Sequence, residues 1–179
     1  MANDGDARFD RADSAGNGFT MRRGHTLAFV GGGPEQLRDV AAVLKAELRP
    51  ELTLAVGVGQ GGRTLRDMIR QGLNAGTEGG RVFEGAMPLM AGGGDAFPYT
   101  YGMAIDPASG KRGGILARCT ATSTCPKLIH ADSSNDFWIS GAARVATGGT
   151  ERDVDLPENV RAYLMSSTQH VYADRPVPG

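Results

Sequence analysis

The stretch LTLAVGVGQGGRTLRDMIRQGL, residues 52–73, decides the fold class. Its first seven residues, LTLAVGV (52–58), form a short apolar run with the makings of a buried strand. A glycine turn, GQGG (59–62), follows. In RTLRDMIRQGL (63–73), Leu65, Met68, Ile69 and Leu73 then recur at helical spacing. Strand, tight turn and helix in immediate succession are half of a βαβ unit.

The rest of the chain repeats the alternation. HTLAFV (25–30) has a buried-strand pattern ending in Gly31-Gly32-Gly33, and Pro34 suits the first position of a helix. EQLRDVAAVLKAEL (35–48) carries an apolar stripe at Leu37, Val40, Ala41, Leu44 and Leu48, and Arg49-Pro50 ends it. VFEGAMPLMAG (82–92) holds another short apolar run, residues 93–114 are irregular, and ILARC (115–119) suits either helix or strand. PKLIHA (126–131) is expected as a strand, DFWISGAARVA (136–146) as a helix and VRAYLMSS (160–167) as the last strand. Strands alternating with helices imply a mostly parallel α/β sheet with right-handed crossovers. One domain over 18–172 is expected, between a polar, frayed N-terminus (1–17) and a proline-rich tail (173–179).

Composition bounds the function classes. The chain has 179 residues, 40% of them hydrophobic and 22% charged, which fits a single globular domain. The 19 basic and 20 acidic residues are well mixed, so no basic stripe points to nucleic acid. No apolar run approaches the ~18 residues of a membrane span. MANDGDARFDRADSAG lacks the apolar core of a signal peptide, which makes the cytoplasm the default location. Neither a cofactor nor a metal site is expected. The two cysteines, Cys119 and Cys125, fit neither a CxxC motif nor a zinc site, and both a short disulfide loop and two reduced thiols remain open.

Glycine is the outlier, with 27 residues. Gly57-Val58-Gly59-Gln60-Gly61 has the form of a nucleophile elbow, G-x-S-x-G, in which a strained strand-to-helix turn exposes a nucleophile. Gly59 stands where the nucleophile would be. An ordinary glycine-rich βα turn is the plain alternative. A dinucleotide turn is another, since glycines 57, 59 and 62 spell G-x-G-x-x-G. That pattern lacks the acidic residue closing a second strand about 20 residues on.

Four segments, 16–31, 57–92, 113–138 and 156–170, together resemble a family of α/β-hydrolase-domain proteins of poorly defined substrate. Members typically read G-x-S-Q-S/T-G-R-x-L-R at the elbow. This chain keeps Gln60, Gly62, Arg63, Leu65 and Arg66 but has Gly59 and Gly61 at the two hydroxyl positions. The resemblance implies a three-layer, hydrolase-like fold, truncated relative to the full one, with helices on both faces of the sheet. It implies a carboxylic-ester hydrolase of Ser-Asp-His type, impaired or inactive at the nucleophile, with a small ester-like ligand. Its acid position falls on Asp136 of Asn135-Asp136-Phe137-Trp138, and its base position on His170 of SSTQH. The acid would orient the imidazole and the imidazole would take the nucleophile's proton.

The same residues admit other roles. Asp136, Asn135 or Ser134 would serve as a helix N-cap, Asp132 is a second candidate acid, and His170 would otherwise be a loop histidine. His130 is expected to be structural. Oxyanion donors are expected from the Gln60 N–H and from Gly31 and Gly32. Phe97, Tyr99, Tyr101 and Met103 are candidates for an apolar wall. A non-catalytic binding or assembly module on the same scaffold is the competing function. Relatives are often exported. The chain is also shorter than they are, lacking their early strands, so an exposed sheet edge and homo-oligomerisation through it are expected.

Overall fold

The computed structural model of the chain describes residues 33–94 and 96–170, and the backbone alone of 21–23 and 26–28. The N-terminal stretch 1–17, the tail and the expected oxyanion residues Gly31 and Gly32 fall outside these residues.

Along the chain run β1 (Met21–Arg23), β2 (Thr26–Ala28), α1 (Pro34–Leu48), β3 (Leu54–Val58), α2 (Gln60–Arg70), β4 (Gly85–Leu89), β5 (Ala104–Ile105) and β6 (Arg112–Gly113). There follow α3 (Ala117–Ala121), β7 (Lys127–Ser133), α4 (Ser134–Trp138), α5 (Ala143–Thr147) and β8 (Val160–Met165). β3, β4, β7 and β8 form one four-stranded sheet in that spatial order, every pair parallel. The protein is thus α/β, with a parallel sheet flanked by helices.

Strand order explains the layering. From β3 to β8 each new strand is added on the same side of the last. With right-handed crossovers, every connecting helix then falls on one face. The buried cluster bears this out. Ala55, Ala86, Leu128 and Val160 of the strands pack with Leu37 of α1, Leu65, Met68 and Ile69 of α2, Cys119 of α3 and Val145 of α5. The opposite face carries Leu54, Val56, Val58, Ile129 and Tyr163, all exposed, with Val56 at 36% and Tyr163 at 56%. β3 accordingly alternates exposed and buried along its whole length. The expected helices on both faces are therefore corrected. Among the described residues the helices of this cluster cover one face, because the strand order never reverses and so sends no crossover to the other side.

Three local expectations also change. Thr26–Ala28 pairs antiparallel with Met21–Arg23 as a hairpin and takes no place in the parallel sheet. The helix expected over 136–146 is two short ones, α4 and α5. Gly141 lies between them at φ 67°, a left-handed conformation that a continuing helix excludes. Finally, α2 begins at Gln60, so only Gly59 of the GQGG stretch is turn. α1 behaves as its sequence suggests. Pro34 is at its first turn, Leu37 and Ala41 face the core, and Arg49 closes it by donating its N–H to the Lys45 carbonyl at 3.0 Å.

Candidate functional site

The β3–α2 turn lies at the carboxyl edge of the sheet. Gly59 has φ 57° and ψ −117°, a conformation that side chains rarely adopt. Its N–H donates to the Leu89 carbonyl of β4 at 2.9 Å, and its own carbonyl accepts the Arg63 N–H at 3.0 Å. The neighbouring glycines are there for closeness. A Cβ on Gly57 would lie 2.3 Å from the Gly61 oxygen, and one on Gly62 would lie 2.6 Å from the Leu89 oxygen. The helix thus starts hard against its own strand and the next. Gln60 occupies its first position, where the backbone N–H has no acceptor within the helix.

Asp136 is fixed by the end of β7. Ser133 caps α4, its hydroxyl accepting the Asp136 N–H at 3.1 Å. The Asp136 carboxylate reaches back, with Oδ2 accepting the Ser133 hydroxyl at 2.5 Å and the Ser133 N–H at 3.3 Å. This reciprocal pair is a capping box. It leaves Oδ1 for another partner, and that partner is His170, whose Nδ1 lies 2.6 Å away. Asp136 is fully buried while the His170 side chain stays 35% exposed. Asp136 therefore helps to close the helix terminus and contacts the histidine at the same time. The N-cap itself is Ser133, in place of the expected Asp136, Asn135 or Ser134.

The loop bearing His170 is tied to the same helix start. The Ser167 N–H donates to Ser134 Oγ at 2.8 Å, just past the end of β8. His170 points its other nitrogen at the turn. A Cβ built on Gly59 would sit 3.6 Å from His170 Nε2 and 3.9 Å from Cε1, ordinary contact distances. The structure thus brings together Gly59, Asp136 and His170, which are 77 and 34 residues apart in sequence.

Asp132, the second candidate acid, is engaged elsewhere. Its Oδ2 lies 2.5 Å from His130 Nε2, and its Oδ1 accepts the Gly92 N–H at 3.1 Å. His130 Nδ1 lies 2.9 Å from the Tyr101 hydroxyl, and all three side chains are buried. Burial pushes the Tyr101 phenol up, so it keeps its proton and can donate it to Nδ1. Burial works to raise the Asp132 carboxyl too. The His130 hydrogen bond, the Gly92 N–H and the Arg66 guanidinium outweigh it and hold the group below its ordinary value. Arg66, buried in α2, donates to the Gly92 carbonyl. Gly92 is therefore gripped from both sides, which locks the loop after β4 to α2 and β7. His130 is structural here.

Among the other candidates, Cys119 and Cys125 form a disulfide with an S–S distance of 1.99 Å. Of the proposed apolar wall, Tyr101 is buried in the core, Met103 is half exposed and Tyr99 lies beneath Arg144, with the guanidinium 5.0 Å from its ring centre. Beside the turn is a cavity of about 600 Å3, whose wall includes Gln60, Arg63, Arg66, Arg70, Trp138 and Arg144. The sequence reading missed Ser133, although Ser133-Ser134-Asn135-Asp136 has the spacing of a capping box. It also missed Arg144 and the Arg66–Gly92–Asp132 clamp, which join distant segments and leave no local signal.

Among the described residues no group of His, Cys, Asp and Glu is placed to hold a metal, and no helix is long and apolar enough to cross a membrane. Comparison with protein-family models, with curated proteins and with solved structures returned no match.

Proposed function

We propose that the chain is an α/β-hydrolase-type domain related to carboxylic ester hydrolases of the Ser-Asp-His type, impaired because glycine occupies the nucleophile position. One observation carries this reading. The Asp136–His170 pair, joined at 2.6 Å, presents Nε2 to the place where a side chain on residue 59 would begin, 3.6 Å away. A serine there would be within reach of the imidazole. His170 would accept its proton as the hydroxyl oxygen attacks an ester carbonyl. Asp136 would hold the Nδ1–H and stabilise the imidazolium, and the Gln60 N–H would face the developing oxyanion. The alkoxide would leave with the proton from His170, and water would then release the acyl group by the same steps.

Glycine supplies no oxygen, so no acyl-enzyme forms on the chain as it stands. His170 is left to act on water alone, with the rate expected to fall toward the roughly 10³–10⁴-fold residual seen in other triad enzymes stripped of a member. The test is Gly59→Ser with p-nitrophenyl acyl esters and a fluorophosphonate probe. Turnover at least about 10²-fold above the glycine chain is expected, with covalent labelling at residue 59. The backbone conformation would cost the variant about 1–3 kcal/mol of stability, which calorimetry would read as a lower Tm. A folded Gly59→Ser protein with neither turnover nor label would defeat the hydrolase reading.

A second reading, a non-catalytic binding or assembly module, is favoured by glycine at both 59 and 61 and by the apolar sheet face left exposed. A stable monomer by light scattering, with no retained ligand, counts against it.

A further inference from the structure

The cavity beside the β3–α2 turn has an unusual charge balance. Arg63, Arg66 and Arg70 recur along α2 at spacings of three and four, which places them on one side of the helix, and Arg144 joins them from α5. Two of the four are already matched. Arg70 Nε pairs with Asp67 at 3.1 Å. Arg66 is buried, bonded to the Gly92 carbonyl and close enough to Asp132 to lower its pKa. The other two are exposed and form no ion pair with a described residue. Arg63 stands in the first turn of α2, where the helix N-terminus adds positive potential. Arg144 lies over Tyr99 and makes one long hydrogen bond, 3.5 Å, to the Gly94 carbonyl. Across the cavity stand Trp138 and Ile139, 79% and 77% exposed.

We infer that this cavity binds a small acid, with a carboxylate or phosphate group held by Arg63 and Arg144 and a compact apolar body lying against Trp138 and Ile139. Two neighbouring side chains that large and apolar rarely stand so exposed at the wall of a cationic cleft without something to cover them. A volume of about 600 Å3 suits a ligand of that size. Guanidinium groups on two different helices can each bond a different oxygen of such an anion, which a single cation would not do as well. The inference deepens the hydrolase reading and rests on it for one point: because Gln60 belongs to the cavity wall, the bound acid would be part of a substrate whose ester carbonyl reaches residue 59.

The test separates the two claims. Trp138 is the one tryptophan of the sequence, so its fluorescence reports entry into this cavity. 4-Phenylbutyrate, 4-phenylbutyramide, phenyl phosphate and inorganic phosphate are titrated into the chain as it exists. The phenyl acids are expected to bind about tenfold more tightly than the neutral amide, a gap that a charge-assisted hydrogen bond accounts for. The gap should shrink as salt rises. It should close in the Arg63→Gln/Arg144→Gln variant and persist in part in Arg63→Lys/Arg144→Lys, with circular dichroism verifying that both are folded. The two phenyl acids then show whether carboxylate or phosphate fits better, and inorganic phosphate shows whether the anion suffices without an apolar body. Equal affinity for acid and amide, or acid binding indifferent to the glutamine variant, would overturn the inference. Neither outcome depends on turnover. The hydrolase reading is judged separately, by whether Gly59→Ser cleaves any p-nitrophenyl ester.

Discussion

Gly57 shows how one missing methyl group shapes the site. Its Cα faces the first turn of α2 so closely that a Cβ would come within 2.3 Å of the Gly61 oxygen and 2.4 Å of its carbonyl carbon. Both atoms are backbone, so relief requires moving the helix. Gly57→Ala is expected to cost more than about 4 kcal/mol, in the range kept for steric failures of the core. Gly79 is a control. It has φ 87° and nothing within 4 Å of its would-be Cβ, so Gly79→Ala should cost only the left-handed backbone penalty of about 1–2 kcal/mol. Urea midpoints for the two variants check this; equal losses would mean that the helix is not seated against the strand as described. Close approach at 57 and a positive φ at 59 are separate demands that the same residue type meets. That is why the glycine-rich letters were legible as a turn while their division of labour was not.

At the scale of elements, polar side chains tie segments together where the apolar core does not reach. Glu84, just before β4, accepts the Lys45 ammonium of α1 at 2.5 Å and the Thr53 N–H, just before β3, at 2.7 Å. Partial burial works to raise its pKa, but the Lys45 and Thr53 interactions outweigh it and hold the carboxyl below 4.5. Asp132 is depressed in the same sense, below 3.8. A depressed carboxylate contributes stability that is complete above its unfolded-state pKa and is lost as pH falls through the folded one. The unfolding free energy should therefore stay level in this respect above about pH 5 and decline as pH drops from about 4.5 downward. Glu84→Gln should flatten the upper part of that decline and cost about 1–2 kcal/mol at neutral pH. Chemical denaturation across pH 2–7 tests both. The Cys119–Cys125 bond closes a short loop of sequence separation 6 between α3 and β7, for which loop entropy gives about 2 kcal/mol. The double serine variant should melt correspondingly lower, and a reducing agent should bring the parent chain to the same Tm. These ties vary in how visible they are in sequence. The cysteines were, as two alternatives. The capping box at Ser133 and Asp136 was there to be found by spacing. Glu84 was not, because its partners lie 39 and 31 residues away.

For the whole molecule, strand order sets the surface. A sheet that grows in one direction buries one face under its crossover helices and leaves the other bare, here with Val56, Ile129 and Tyr163 in the open. Substitutions should respect that asymmetry. Leu65→Ala, on the buried side, should cost about 2–5 kcal/mol. Val56→Thr and Tyr163→Thr, on the open side, should each stay within about 0.5 kcal/mol. Thermal melts decide it: losses at Val56 or Tyr163 comparable with that at Leu65 would show that something covers the second face.

The sequence by itself determined the strand–turn–helix at 52–73 and the α/β class. These follow from apolar spacing, from glycine at a strand end and from the alternation of strands and helices along the chain. Asp136 and His170 were singled out by the resemblance alone, with Asp132 and a capping role open beside them. Only the tertiary structure decided that the Asp136 carboxylate caps a helix with one oxygen and meets His170 with the other, and that Asp132 belongs to a separate buried network. It alone left one face of the sheet open and gathered Arg63 and Arg144, without an ion pair among the described residues, at one cavity. Periodicity records which side of an element is apolar. It does not record which other element comes to lie against that side, because that depends on crossover handedness and on contacts between residues far apart in the chain.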